Sequence, residues 1–393
     1  MTPLRVGVVG CGNIAVGYHL PALLELGDRY EVVAVADPTP ERLELGRRAA
    51  GLAAGAAHAD PLALIARDDV DVVLLATPQH HRRDLLLAAV AAGRHVISEK
   101  PVAAVPAEAE EMVTAAEKAG VTLAVVHNYL FLPEIAAARR IVASGRIGDV
   151  RAVTVNYLGV TDSPGAAAYR PDWRHDPRAA GGGVLLDMLH AVYLAEHLLG
   201  RPIERVSAYA DGRPGGVEDI ALCRFETAAS AALVSLAWGF GPGGVTVTGT
   251  GGRVVVRYAD DGTPPWAPFE RLTVTTAAGT EAEDHPPGAD LPAAMHAAIV
   301  DTLADAADAV TDQRSPAADG RSALHVLTTT LAAYASAALG RTVAADLSDA
   351  APVFAAGVAG LRELDRPAWT PVGRRGLFGV PITAAPATTG EST

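Results

Sequence analysis

The strongest constraint lies in the first fifteen residues. Val6-Gly7-Val8-Val9 is a short apolar run that passes straight into Gly10-Cys11-Gly12-Asn13-Ile14-Ala15. Such a run predicts a strand, and the G-x-G-x-x-A spacing predicts a tight turn opening a helix. Gly10 permits the turn, Gly12 lets the backbone approach a pyrophosphate with no Cβ in the way, and small Ala15 lets the helix lie close to the strand. Asn13 and Ile14 then present unpaired N–H groups at the positive helix end, where phosphates bind. A second β-branched run, Val32–Ala36, ends in Asp37, 25 residues beyond Gly12. A carboxylate there accepts hydrogen bonds from both ribose hydroxyls of an adenosine and repels a 2′-phosphate, so NAD is expected ahead of NADP. Arg42 on the next helix would offset a 2′-phosphate, which keeps NADP as the alternative. The plainer reading makes the glycines a turn and Asp37 a helix cap; it does not account for strand, glycines and acid occurring together in this order. A flavin would bring further recognition segments, which the sequence lacks.

The same alternation continues through the first 130 residues, with β-branched runs at Val70–Leu75, His95–Ile97 and Leu123–Val126 separated by Ala- and Leu-rich stretches with charged faces. Runs apolar on both faces suit parallel strands covered by helices, hence an α/β doubly wound sheet. After Gly148 the texture changes. Period-two spacing at Val153, Val155, Tyr157 and at Val254, Val256, Tyr258, with Gly, Asp and Pro turns, predicts an α+β domain on a large, mainly antiparallel open sheet. Helices are predicted around Val184–Leu199, Pro292–Thr311 and Arg321–Leu339. The expected division is 1–127, 128–350 with its last helix packing back toward the first domain, and 351–393 as an extension whose Gly-, Pro-, Ala- and Thr-rich end reads as mobile. A chain of 393 residues exceeds the roughly 250–300 at which one core stops growing, which also favours two domains.

The remaining composition excludes more than it selects. Half the residues are hydrophobic, too many for a disordered chain, and the net charge of −13 argues against nucleic-acid binding and a polybasic membrane anchor. No apolar run approaches a membrane span and no signal peptide is evident, so a soluble cytoplasmic protein is expected. Cys11 and Cys223 make neither a disulfide framework nor a zinc cluster, and no spacing of His, Cys, Asp and Glu predicts a metal.

Further along, Ala91-Ala92-Gly93-Arg94-His95-Val96-Ile97-Ser98-Glu99-Lys100-Pro101 is followed by Gly181-Gly182-Gly183-Val184-Leu185-Leu186-Asp187 and then His190. With the N-terminal glycine turn, and with Ser144-Gly145-Arg146-Ile147-Gly148 and the late Gly320–Gly340 helix, the chain resembles the glucose–fructose oxidoreductase, inositol dehydrogenase and rhizopine-catabolism family, Gfo/Idh/MocA, over roughly residues 4–345. The resemblance implies an N-terminal Rossmann domain and a C-terminal domain whose open sheet often mediates dimers or tetramers. It implies hydride transfer between a nicotinamide and a secondary hydroxyl or ketone of a sugar, sugar derivative or cyclitol. It also puts Lys100, Asp187 and His190 beside the nicotinamide. Thr77, Pro78 and Glu99 are expected along the cofactor, and His80 and His81 are candidates near the nicotinamide or substrate, against a plainer placement on a helix surface.

Such chemistry needs that trio. Loss of hydride makes the carbinol O–H acidic, so a base must take its proton; an ammonium aimed at the same oxygen stabilises the developing charge. His190 fits the base, Lys100 the electrostatic partner and Asp187 a substrate ligand, with the Lys and His roles exchangeable. Asn128 and Tyr129 follow a strand end, and Trp173-Arg174 resembles a family segment over the pocket; all four are substrate-binding candidates. The sequence also departs from the family pattern. Asp187 and His190 are three apart where four is usual. Tyr193 stands where the family has a carboxylate, and Gln79 and Arg82 replace an Asn and a His after Thr77-Pro78. Two rival readings remain: a retained NAD that oxidises a sugar transiently for elimination of its glycosidic substituent, and a non-catalytic dinucleotide or sugar sensor.

Overall fold

The computed structural model describes residues 2–160, 182–212, 217–239, 243–258, 269–283 and 291–364. The first third forms the parallel strands β1 (Leu4–Val9), β2 (Tyr30–Ala36), β3 (Ala57–His58), β4 (Val72–Leu75), β5 (His95–Ser98) and β6 (Leu123–Val125), all but β3 on the expected apolar runs. Their order is β3-β2-β1-β4-β5-β6. Strand order therefore reverses between β1 and β4, and the crevice beyond their C-terminal ends is where an open α/β sheet binds ligands. Val72, Val73, Leu74 and Leu75 of β4 are all buried, as helices on both faces require. The helix Pro106–Ala119 shows how those covers form. Proline sits at its start, Gly120 ends it at φ 66°, and Ala109, Met112, Val113 and Ala116 recur on the buried stripe.

The second sheet contains β7 (Val150–Val160), β8 (Arg205–Gly212), β9 (Glu218–Glu226), β10 (Ala231–Trp238), β11 (Gly243–Gly249), β12 (Gly252–Tyr258), β13 (Phe269–Thr276), β14 (Gly279–Glu283) and β15 (Val343–Ala344). Its order is β14-β13-β12-β11-β7-β10-β9-β8-β15; β7 and β10 run parallel and the other described pairs are antiparallel. Register puts Val155 beside Val234 and Val245 on one buried face. On the opposite face Leu222 and Leu233 are 43% and 53% exposed. The strands β3 and β15 were not anticipated; at two residues each they carry no periodicity to read.

Helices join the two sheets. From the second half of the chain, Leu291–Thr311 brings Ile299, Leu303, Ala306 and Ala307 into the buried cluster that holds Val6, Val8 and Leu23 of the first. Tyr30 donates its hydroxyl to the Leu303 carbonyl at 2.8 Å. The helix Gly320–Leu339 is long and apolar enough to cross a membrane, but its apolar window is 83% buried inside the protein. At its start Ala318 O accepts from Val125 N at 2.9 Å, and a Cβ on Gly320 would lie 3.0 Å from Leu123. The expected extension begins as structure: Ala351–Ala356 and Gly357–Glu363 are helical, with Val353 and Leu361 fully buried. Its end, from 365, lies outside the described residues.

One expected helix is divided. Val184–Asp187 and His190–Leu199 are separated by Met188 and Leu189. An unbroken helix would send the Ala191 N–H to the Asp187 carbonyl. Here that carbonyl accepts from the Lys100 ammonium at 2.7 Å, and Ala191 N bonds Met188 O at 2.9 Å instead. The short first piece is held from the other side by Glu218 of β9, which is fully buried. Glu218 accepts from Gly183 N at 2.8 Å, Leu185 N at 2.8 Å and the Tyr334 hydroxyl at 2.7 Å. Added Cβ atoms would lie 2.1 Å from Glu218 O at Gly183 and 2.5 Å from the Tyr334 hydroxyl at Gly182, so this clamp explains both glycines.

Burial pushes the Glu218 carboxyl from 4.5 up to about 7, against the hydrogen bonds that favour its ionised form. A raised carboxyl binds its proton more tightly folded than unfolded. Its contribution to stability is therefore fully present below 4.5 and is lost as pH rises through about 7. The shift corresponds to roughly 3 kcal/mol. Glu218→Gln should remove this slope, so urea midpoints taken below 4.5 and above about 7 should differ less in the variant than in the wild type. Equal pH dependence in both proteins would assign the slope elsewhere.

Candidate active site

A cleft of about 800 Å³ opens at the C-terminal ends of β1, β2, β4 and β5. Gly10, Gly12, Asn13, Ile14, Asp37, Thr77, Pro78, His80, Glu99 and Lys100 all line it, as does Asp187 from the second domain. Gly10 sits at φ 93°, and a Cβ there would lie 2.8 Å from the Ala76 carbonyl. Gly12 is different: a Cβ on it would meet nothing within 4 Å. Internal packing therefore does not demand glycine at this position, and the open space above it suits the close approach of a pyrophosphate.

Asp37 is buried, and both its oxygens are engaged. Oδ2 accepts from Cys11 N at 2.9 Å and Oδ1 from Thr39 N at 2.8 Å. The carboxylate thus ties the glycine turn to the end of β2, with each oxygen retaining acceptor capacity for a ribose hydroxyl. It is not the cap of the next helix, whose N-cap residue is Thr39. Arg42 lines the same cleft, as do His80 and His81, whose ring centroids lie 4.0 Å apart with the planes tilted by 51°.

Beyond β5, Glu99 accepts from the Lys100 amide at 2.9 Å and lies 2.8 Å from His19 Nε2. Burial opposes its charge, but the His19 bond and the charges of His19, Arg82 and Lys100 outweigh it and hold the carboxyl below its usual value. Arg82 is buried as well. Its guanidinium reaches the carbonyls of Thr77 at 2.6 Å, Glu99 at 2.5 Å and Pro101, crosslinking the loops after β4 and β5. Burial pulls Arg82 down to about 10, which leaves it cationic at neutral pH. Its structural role was not legible, because its partners are backbone carbonyls that leave no mark in side-chain identity.

The Lys100 ammonium lies 3.7 Å from Asp187 Oδ1, further than the 2.7 Å to that residue's carbonyl. His190 is buried behind these groups and is not part of the cleft lining. Its Nδ1 lies 2.6 Å from the Tyr193 hydroxyl, and its ring stacks on Tyr129 with centroids 3.9 Å apart. His127 stacks on Tyr193 at 4.3 Å. Burial, the Lys100 charge and His127 push His190 well below the ordinary histidine range, so its ring is neutral. Burial and Lys100 likewise lower His127 to about 3. Asn128 and Tyr129 are buried and do not line the cleft. Trp173 and Arg174 lie outside the described residues. Among the described residues, no group of three or more His, Cys, Asp and Glu is arranged to hold a metal.

Comparison with known proteins identifies the family and the fold. Residues 4–127 match the model of an oxidoreductase family with a NAD-binding Rossmann fold, and residues 135–255 match the GFO/IDH/MocA C-terminal domain. The chain is 35% identical over 200 residues to dTDP-3,4-didehydro-2,6-dideoxy-alpha-D-glucose 3-reductase of Streptomyces violaceoruber, covering 50% of this chain and 55% of that one. It is 31% identical over 211 residues to D-glucoside 3-dehydrogenase of Escherichia coli, covering 53% and 58%. The matched region thus spans little more than half the length of these relatives. A solved levoglucosan dehydrogenase in complex with NADH and levoglucosan shares the fold, with a TM-score of 0.75 and 22% identity over 88% of this chain and 100% of that one. With models of the same family matching both halves and the expected strand order in place, the chain belongs to the Gfo/Idh/MocA oxidoreductases, whose N-terminal domain is a NAD-binding Rossmann fold.

Proposed function

We propose that this protein moves a hydride between NAD and a secondary hydroxyl or ketone of a sugar or sugar derivative. The observation that carries the reading is one cleft lined by the glycine turn, Asp37, Lys100 and Asp187. NAD, when bound, supplies or accepts the hydride at the carbinol carbon. Gly10, Gly12 and the following helix end hold the pyrophosphate, and Asp37 takes the adenosine ribose. Lys100 stands at the end of β5 with its ammonium bridging to Asp187, so it meets a substrate oxygen at the nicotinamide end of the cleft. There it stabilises negative charge on that oxygen and exchanges its proton. Asp187 binds a neighbouring hydroxyl. The sugar class is favoured by the similarity to the two sugar-directed relatives, whose names describe a keto-sugar reductase and a glucoside dehydrogenase. We also propose that the open face bearing Leu222 and Leu233 is covered by a second copy, since exposed leucines on a wide sheet seek a partner.

Incubation of the protein and NAD with a panel of sugars, sugar derivatives and cyclitols, followed by absorbance of the reduced cofactor, should reveal turnover. Lys100→Met should lower kcat about a hundredfold or more while NAD binding persists. Turnover nowhere on the panel would remove the reading. Gly12→Val should abolish NAD binding, measured by calorimetry, with an unchanged melting temperature, because the added atoms enter open space. Retained binding would displace the pyrophosphate from this turn. Light scattering should give an oligomer for the wild type and a smaller species for Leu233→Glu; a wild-type monomer would refute the covered face.

A further inference from the structure

The Tyr193 hydroxyl has two neighbours within bonding distance among the described residues. It accepts the Tyr129 backbone N–H at 3.1 Å, and it lies 2.6 Å from His190 Nδ1. A hydroxyl carries one proton, and a backbone N–H can only donate. If Nδ1 also donated, the Tyr193 proton would be buried with no acceptor, a costly arrangement. Burial also holds the Tyr193 phenol protonated, far above its ordinary range. The proton therefore lies on the short contact to Nδ1, and the neutral ring carries its own proton on Nε2. Nε2 has no hydrogen-bond partner among the described residues, and the Lys100 charge acts on the ring.

We propose that Tyr193 is a positioning residue that locks His190 as the Nε2–H tautomer, so that Lys100 and not His190 exchanges the proton of the reaction. A carboxylate at position 193 would do the reverse. It would accept the Nδ1 proton and leave Nε2 as a base. With tyrosine there, Nε2 is already protonated and cannot act as the base. In oxidation the neutral Lys100 amine takes the hydroxyl proton as the hydride leaves the same carbinol; in reduction the ammonium returns it to the alkoxide. The assignment of Lys100 rests on the oxidoreductase reading above, whereas the tautomer does not.

Nitrogen-15 spectra of the full chain with labelled histidine test the tautomer without turnover, His190 being assigned by the signal lost in His190→Gln. The wild type should show Nε2 protonated and Nδ1 as a hydrogen-bonded acceptor. Tyr193→Phe should move the Nδ1 resonance toward that of an unbonded acceptor, and lower kcat with the Kd for NAD unchanged. A wild-type signal with the proton on Nδ1 would overturn the proposal, as would an Nδ1 resonance that Tyr193→Phe leaves in place. If Tyr193→Phe does not fold, the wild-type spectrum decides alone. Absence of turnover on any sugar with the tautomer as expected would refute the oxidoreductase reading and the Lys100 role, but not the lock.

Discussion

The bond from the Lys100 ammonium to the Asp187 carbonyl joins the two halves of the molecule at the point where the chemistry is proposed. It ends one helix and lets another begin, because a carbonyl given to an ammonium is withdrawn from the helical ladder. Its consequence for the site is directional. Asp187 keeps its carboxylate toward the cleft, while His190 starts a new helix and falls behind, into the aromatic layer of Tyr129, Tyr193 and His127. Residues three apart in sequence thus meet different environments, one bordering the cleft and one sealed.

Holding that bond in place takes support from both sides. On the first domain, Arg82 gathers the carbonyls around the Lys100 loop and His19 braces Glu99. On the second, Glu218 and Tyr334 secure the backbone at Gly183, Leu185 and Leu186. These are buried polar groups whose partners are mostly main chain, the kind of network that rigidifies when every member is satisfied.

What could be read in advance follows from where the information lies. The glycine turn, Asp37 and the apolar strands are local patterns, and the six-strand order and the lining of the cleft agree with them. The glycine pair Gly182-Gly183 was visible as a motif, but its cause was not, since Glu218 and Tyr334 are distant in sequence. The helix around Val184–Leu199 was anticipated as one element because apolar periodicity runs through it, and its break depends on a lysine from another domain. His190 was recognised by its place in a motif, yet its neutral, enclosed state arises from burial that no spacing reports. The packed start of the extension, Ala351–Ala356, was hidden by a composition resembling that of its tail.

The helix Leu291–Thr311 has a bearing on modularity. It adds apolar side chains to the buried cluster of the first domain, and the Tyr30 hydroxyl ends on its backbone. A fragment stopping after β6 would lack Ile299, Leu303, Ala306 and Ala307, which this late helix adds to the buried cluster that also holds Val6, Val8 and Leu23. Nucleotide-binding and partner modules of such a chain are therefore not freely interchangeable cassettes; exchanging one for a foreign counterpart would require the graft to bring a compatible late helix with it.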